Sequence, residues 1–140
     1  MLPKDRLLII QDDDELNGSL KKFLKGKGFK IDSVRTGAEA LKKLKKEFYS
    51  LIVVDVKLSD MDGIKLLGFI EDTEPIIRKL IITGYPSIEN AQEAIRYGVH
   101  EYIVKPFSHE QLLELIEKQL AARENEVKNL YPIIGLKKTA

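Results

Sequence analysis

The 140-residue chain predicts an α/β fold, a parallel sheet with helices packed on both faces. Five short apolar runs alternate with amphipathic stretches of helical spacing. The runs are nearly continuous in hydrophobicity, as in strands buried on both faces. Four of them are followed at once by side chains that carry chemistry, which would stand at the carboxyl edge of the sheet. Open α/β sheets place their sites at that edge.

The first strand is expected from Arg6 to Ile10. Leu16, Leu20, Phe23 and Leu24 then recur at helical spacing, and Gly26 and Gly28 stop that helix. Lys30 to Val34 forms the second strand. Thr36 to Phe48 places Ala40, Leu41, Leu44 and Phe48 on one helical face, with Thr36 or Ser33 as its cap. Leu51 to Val54 is the third strand, and Ile64, Leu67, Phe69 and Ile70 mark a helix before Pro75. Lys79 to Ile82 is the fourth strand, followed by a helix from Ser87 to Tyr97 that Gly98 ends. Tyr102 to Val104 is the fifth, and the last helix runs from Ser108 to Leu130. No internal repeat or low-complexity linker interrupts the series.

Composition narrows the class. Hydrophobic residues make up 44% and charged residues 32%, an ordinary globular balance. At this length one domain with a single core is expected. A net charge of +1 gives no general reason to expect nucleic acid or an anionic membrane as partner. The absence of cysteine excludes disulfides and thiolate chemistry. No stretch reads as a signal peptide or a membrane span, so the cytoplasm is the expected compartment.

The strand ends supply the chemistry. Asp12-Asp13-Asp14 follows the first strand, Asp55 closes the third, Thr83 follows the fourth and Lys105 the fifth. Phosphate-cradling α/β folds carry glycines after the first strand, whereas this turn is acidic and would repel a bare phosphate. Such a site needs a cation before it can accept an anion, and carboxylates suit Mg²⁺ or Mn²⁺. Capping of the first helix by these acids stands beside that as an equal reading. An Asp carboxylate next to a metal can act as nucleophile and form an acyl phosphate. A hydroxyl and an ammonium would stabilise the phosphoryl charge.

These pieces resemble the receiver domain of bacterial two-component response regulators. The likeness runs through Leu7-Leu8-Ile9-Ile10-Gln11-Asp12-Asp13, Val53-Val54-Asp55, Asp60-Met61-Asp62-Gly63, Ile81-Ile82-Thr83-Gly84 and Tyr102-Ile103-Val104-Lys105-Pro106-Phe107. It implies a doubly wound, flavodoxin-like sheet of order 2-1-3-4-5 with five helices. It implies a receiver domain over residues 4–122, with 123–140 as helix extension and tail. Asp55 would be the phosphoacceptor for a sensor histidine kinase, in a Mg²⁺-dependent reaction. Asp12, Asp55 and the backbone carbonyl of Lys57 would hold the metal, with Gln11 or Asp13 reached through water. Thr83 and Lys105 would contact phosphoryl oxygens, Tyr102 would be the switch aromatic, and Gly84 would leave the path to Asp55 open. The Lys105-Pro106 bond would be cis. An output domain or effector would dock on the face of the fourth helix, fifth strand and fifth helix, where Ile95, Tyr97 and Tyr102 lie; a homodimer is possible, with the extension of the last helix as its seam or as a signalling helix toward an output domain.

Three places depart from the pattern. Gln11 takes the position of the first acid of a pair, given the register of Leu16 and Leu20, which predicts weaker metal affinity. Lys57, two residues after Asp55, puts a cation at the site that could reach the phosphoryl group or pair with Asp12, altering phosphoryl lifetime. Ser59 stands where proline is common.

Lys42-Lys43 and Lys45-Lys46 read as the solvated face of a helix, and His100 and His109 are too isolated for a metal site. Pro132 and Gly135 should break the last helix, leaving Leu136 to Ala140 frayed. The expected function is a phosphorylation-dependent signalling switch and not a turnover enzyme. Lys57 occupies the place where an aspartyl phosphohydrolase needs a second acid. A degenerate receiver, acting as a phosphate-independent docking module, is the alternative. A flavin-binding protein of the same sheet order fits least, because the first loop is acidic.

Overall fold

The computed structural model describes residues 5–73 and 76–134. Five strands and five helices alternate: β1 (Arg6–Ile10), α1 (Asp14–Gly26), β2 (Lys30–Val34), α2 (Gly37–Lys46) and β3 (Leu51–Asp55). They continue with α3 (Gly63–Thr73), β4 (Arg78–Thr83), α4 (Ile88–Arg96), β5 (Glu101–Val104) and α5 (His109–Ile134). All strand pairs are parallel, in the order β2-β1-β3-β4-β5. The predicted fold class and strand order are therefore those observed.

Strand periodicity divides the core into two layers. Leu8, Ile10, Ile52, Val54 and Ile81 face α2 and α3, joined by Ala40, Ile64, Leu67 and Ile70. Leu7, Ile9, Leu51, Val53, Leu80 and Ile82 face α1 and α5, joined by Leu20, Leu24, Leu112 and Ile116. The register Ile10↔Val54, Asp55↔Ile82 and Thr83↔Val104 brings the carboxyl ends of the central strands level with one another.

Side-chain caps set the helix starts: Asp13 accepts from the Leu16 amide, Thr36 from Glu39 and Ser87 from Asn90. Of the two caps considered for α2, Thr36 is the one used. Gly28 and Gly98 follow α1 and α4 at positive φ, 98° and 84°. The four lysines of α2 are exposed, as a solvated face should be.

Three sequence expectations need correction. Helix α2 ends at Lys46, so Phe48 is not on its buried face; it is 60% exposed, with the Arg123 guanidinium 5.1 Å from its ring centre. Tyr49 takes the core position instead, its hydroxyl donating to Asp32 at 2.6 Å. Phe69 also faces outward, at 59% exposure, because Leu66 and Leu67 with Ile70 already fill the inner stripe of α3. The backbone of α5 continues through Pro132 to Ile134, where a missing N–H costs one bond of the last turns rather than the whole helix. The tail predicted from Leu136 onward, and Gly135, lie outside the described residues.

At the amino edge of the sheet, away from the strand ends, Lys79 is completely buried. Its ammonium pairs with Glu71 at 2.8 Å and donates to the Ile77 carbonyl at 2.8 Å. Its backbone N–H donates to His100 Nδ1 at 3.0 Å, which fixes the imidazole in the neutral tautomer protonated at Nε2. Burial, helped by the nearby charges of Arg78 and Lys79, lowers the His100 pKa to about 4 from 6.5. Between those two pH values the unfolded chain binds a proton that the folded chain does not. Stability is therefore full above about pH 6.5 and falls as pH drops toward about 4, by on the order of 2 kcal/mol. Urea unfolding across that window should show the slope in the wild type and a much shallower one in His100→Gln; equal slopes would remove His100 as the cause.

Candidate functional site

The strand ends open into a cleft of about 780 Å³ lined by Asp12, Asp55, Lys57, Thr83 and Lys105, among others. Asp55 is its buried floor, 5% exposed, and three donors converge on its carboxylate. The Lys57 amide donates to Oδ1 at 2.9 Å. Gln11 Nε2 at 2.7 Å and Lys105 Nζ at 2.6 Å both donate to Oδ2. The Lys105-Pro106 bond is cis, as the resemblance implied. Thr83 is 2% exposed, and its Oγ1 accepts from the Tyr85 amide at 3.1 Å.

The loop after β3 is held from two sides. The two carboxylate oxygens of Asp60 take the amides of Gly37 and Ala38 at 2.9 and 3.0 Å, tying the loop to the start of α2. Those amides, Gly37 first, hold the Asp60 carboxyl below its ordinary value. Gly63 closes the loop, its N–H donating to the Val56 carbonyl at 2.7 Å. A Cβ on Gly63 would lie 2.0 Å from the Asp55 carbonyl oxygen, so this position admits only glycine without moving the backbone.

The first turn resolves into separate jobs. Gln11, 2% exposed, bonds Asp55 through Nε2 and accepts from the Asp13 amide through Oε1 at 3.1 Å, so both ends of its amide are engaged. Asp13 caps α1. Asp12 lines the cleft with its carboxylate partly exposed. Gln11 and Asp12 thus face the cleft while Asp13 is taken up in capping. Among the described residues no three His, Cys, Asp or Glu side chains gather into a metal group. Of the three aspartates lining the cleft, Asp13 is taken up as the cap of α1; Asp12 and Asp55 suit Mg²⁺, which commonly uses one or two carboxylates together with phosphate oxygens and water.

Lys57 differs from expectation. Its ammonium lies 4.4 Å over the Tyr85 ring, a cation–π contact at the rim, and the cation beside Asp12 is Arg35 instead. Arg35, Tyr85 and Asn17 are the site neighbours that sequence reading missed. Arg35 was detectable from its place directly after Val34, at the end of the strand next to β1. Tyr102 does not line the cleft; it packs against the layer on the α3 side, its hydroxyl buried with no hydrogen-bond partner among the described residues. His109 instead bonds Ser19 at 2.9 Å and stacks near Phe23.

A parallel sheet ending in a buried carboxylate, an ammonium bonded to it, a hydroxyl and a second acid defines a receiver-type site. A family model described as "Response regulator receiver domain" matches residues 7–117, and the chain belongs to that family. It is 34% identical over 115 residues to the transcriptional regulatory protein ZraR of Escherichia coli K12, covering 82% of this chain and 26% of that protein. It is 35% identical over 113 residues to the response regulator protein FleR of Pseudomonas aeruginosa, covering 81% and 24%. The chain thus spans about a quarter of the length of these relatives. Among solved structures, a CheY-like receiver domain from Methanospirillum hungatei superposes with a TM-score of 0.87 at 35% identity, covering 89% of this chain and 99% of that one. The beryllofluoride-activated NtrC4 receiver domain dimer gives 0.80 at 35% identity, covering 84% and 98%.

Proposed function

We propose that this chain is a phosphoacceptor switch in which Asp55 takes a phosphoryl group from the phosphohistidine of a sensor histidine kinase. The observation that carries this reading is the buried Asp55 carboxylate with Lys105 Nζ at 2.6 Å, open to a cleft that Asp12 and Thr83 also line. An Asp55 oxygen attacks phosphorus, an O–P bond forms, and the P–N bond breaks with its electron pair leaving on the imidazole. Lys105 and the Thr83 hydroxyl are in reach of the cleft to meet the phosphoryl oxygens, where fixed donors stabilise developing charge. Asp12, Asp55 and the Lys57 carbonyl would hold Mg²⁺, or Mn²⁺, which supplies charge neutralisation between the carboxylates and the incoming anion.

Phosphorylation then biases the face of α4, β5 and α5 between two states, with Tyr102 as the responding aromatic. Ile88 and Ile95 are 73% and 70% exposed on α4, and Val104 is 44% exposed on β5. Such apolar exposure suits an output domain, an effector protein or a second copy of this chain. Among the described residues no helix is long and apolar enough to cross a membrane. We place the chain's work in the cytoplasm, as a switch that catalyses only its own gain and loss of phosphate. A phosphate-independent docking module is the second reading, favoured by Gln11 standing where an acid is usual and already bonded to Asp55.

Intact-mass measurement after incubation with Mg²⁺ and acetyl phosphate tests the choice. One phosphoryl adduct is expected, dependent on Mg²⁺ and absent from Asp55→Asn. Lys105→Ala should keep the acceptor but form the adduct about 100-fold more slowly. No adduct in a rapid-quench assay would favour the docking module, as would partner affinity unchanged by phosphorylation.

A further inference from the structure

Asp12 has a resident cation. Arg35 stands one residue beyond β2, and Val34 lies opposite Ile10 across the β1–β2 pair. The buried Asn17 amide staples the two strand ends, donating to the Gln11 carbonyl at 2.9 Å and the Val34 carbonyl at 3.2 Å. Gln11 N–H adds a bond to the same Val34 carbonyl at 3.0 Å. Asp12 and Arg35 therefore leave the sheet side by side. Arg35 Nε pairs with Asp14 at 3.0 Å, and its Nη2 sits 3.7 Å from Asp12 Oδ1. The same guanidinium lines the cleft above Asp55.

We propose that Arg35 is the resting counter-ion of Asp12, which a divalent cation must displace, so that a residue outside the metal-binding set tunes metal affinity. The inference rests on the reading of Asp12 as a metal ligand. A guanidinium keeps its charge at every physiological pH, so displacement is the only way to free the carboxylate from it. Both partners are partly exposed, so the pair is weak and exchangeable. The shorter contact to Asp14 keeps Arg35 anchored when Asp12 turns away, which makes the exchange a swing rather than a detachment. Lys57, the cation expected here from sequence, is occupied with the Tyr85 ring and leaves this task to Arg35.

Mn²⁺ binding, followed by the electron paramagnetic resonance of free Mn²⁺, tests this without phosphorylation. The intact chain, Arg35→Gln, Arg35→Lys, Asp12→Asn and the Arg35→Gln/Asp12→Asn double variant would be titrated at low and high salt. Arg35→Gln should bind Mn²⁺ about two- to fivefold more tightly at low salt, with the gain shrinking at high salt. Arg35→Lys, which keeps the charge, should stay closer to the wild type. In the Asp12→Asn background the Arg35→Gln gain should vanish. Equal affinities in wild type and Arg35→Gln would overturn the inference, and so would the same gain with and without Asp12. Absence of Mn²⁺ uptake in every form would overturn the metal reading itself and this inference with it.

Discussion

Gly63→Ala should lower the free energy of unfolding by about 3 kcal/mol and slow phosphoryl uptake at the same time. The added Cβ would meet the Asp55 carbonyl oxygen at 2.0 Å, its carbon at 2.9 Å and Val54 Cγ1 at 3.1 Å. Two of those atoms are backbone, so the clash cannot be relieved by a rotamer change. Either the 2.7 Å bond from the Gly63 N–H to the Val56 carbonyl lengthens, or β3 itself shifts and carries Asp55 with it. Two other glycines provide contrast. At Gly37 the nearest atoms belong to the flexible Met61 side chain, and at Gly18, inside α1, a Cβ meets nothing within 4 Å. Gly18→Ala should therefore be neutral or stabilising by up to about 1 kcal/mol. Urea unfolding of Gly63→Ala and Gly18→Ala, with adduct formation measured on each, checks the contrast. A Gly63→Ala protein as stable as the wild type would show that the loop relaxes freely.

Asp55→Asn should destabilise the metal-free protein by about 2 kcal/mol, besides abolishing the adduct. A carboxylate crowded by other acids would gain stability on losing its charge. Here the position beside it is Gln11, which donates, and Lys57 N–H and Lys105 Nζ donate as well. An asparagine offers one acceptor oxygen and turns an NH₂ toward donors, leaving at least one of them unpaired in a buried place. Gln11→Asp should reverse the sign, because it rebuilds the acidic crowd that Asn relieves. Denaturant midpoints of Asp55→Asn in the wild-type and Gln11→Asp backgrounds measure this. A stabilised single variant would mean that repulsion from Asp12 outweighs the lost bonds.

The sheet was readable because the apolar runs are long enough to be unambiguous and each helix begins at a capping side chain or ends at glycine. β1 and β2 have the bounds that the sequence suggested, β3 and β5 are one residue longer at one end, and β4 is one residue longer at each end. Asp55, Thr83 and Lys105 were readable for the same reason, since a residue that ends a strand, or directly follows one as Lys105 does, has its position fixed by the strand. Less was visible for side chains that act across loops. Asp60 reaches the amides of α2, 22 and 23 residues away in sequence, and nothing in its neighbours marks that target. Lys57 turned to the Tyr85 ring and Arg35 to Asp12 because long cationic side chains choose among nearby carboxylates and rings by small energies. Phe48 was placed on the apolar face of α2 by helical spacing and Phe69 was counted in the apolar pattern of α3, although exposed aromatics are ordinary where the inner face is already full.

The bonds on Asp55 also bear on how the molecule matures. Gln11 and Lys105 lie 44 and 50 residues from it along the chain, on either side. Closing such distances costs chain entropy that only a nearly finished sheet returns. While β5 is still unformed, its end cannot deliver Lys105, and Asp55 lacks that partner. The full set of bonds on Asp55 therefore arrives late in folding, as a property of the closed sheet. A partly folded copy without β5 should then take up phosphate slowly, as Lys105→Ala is expected to.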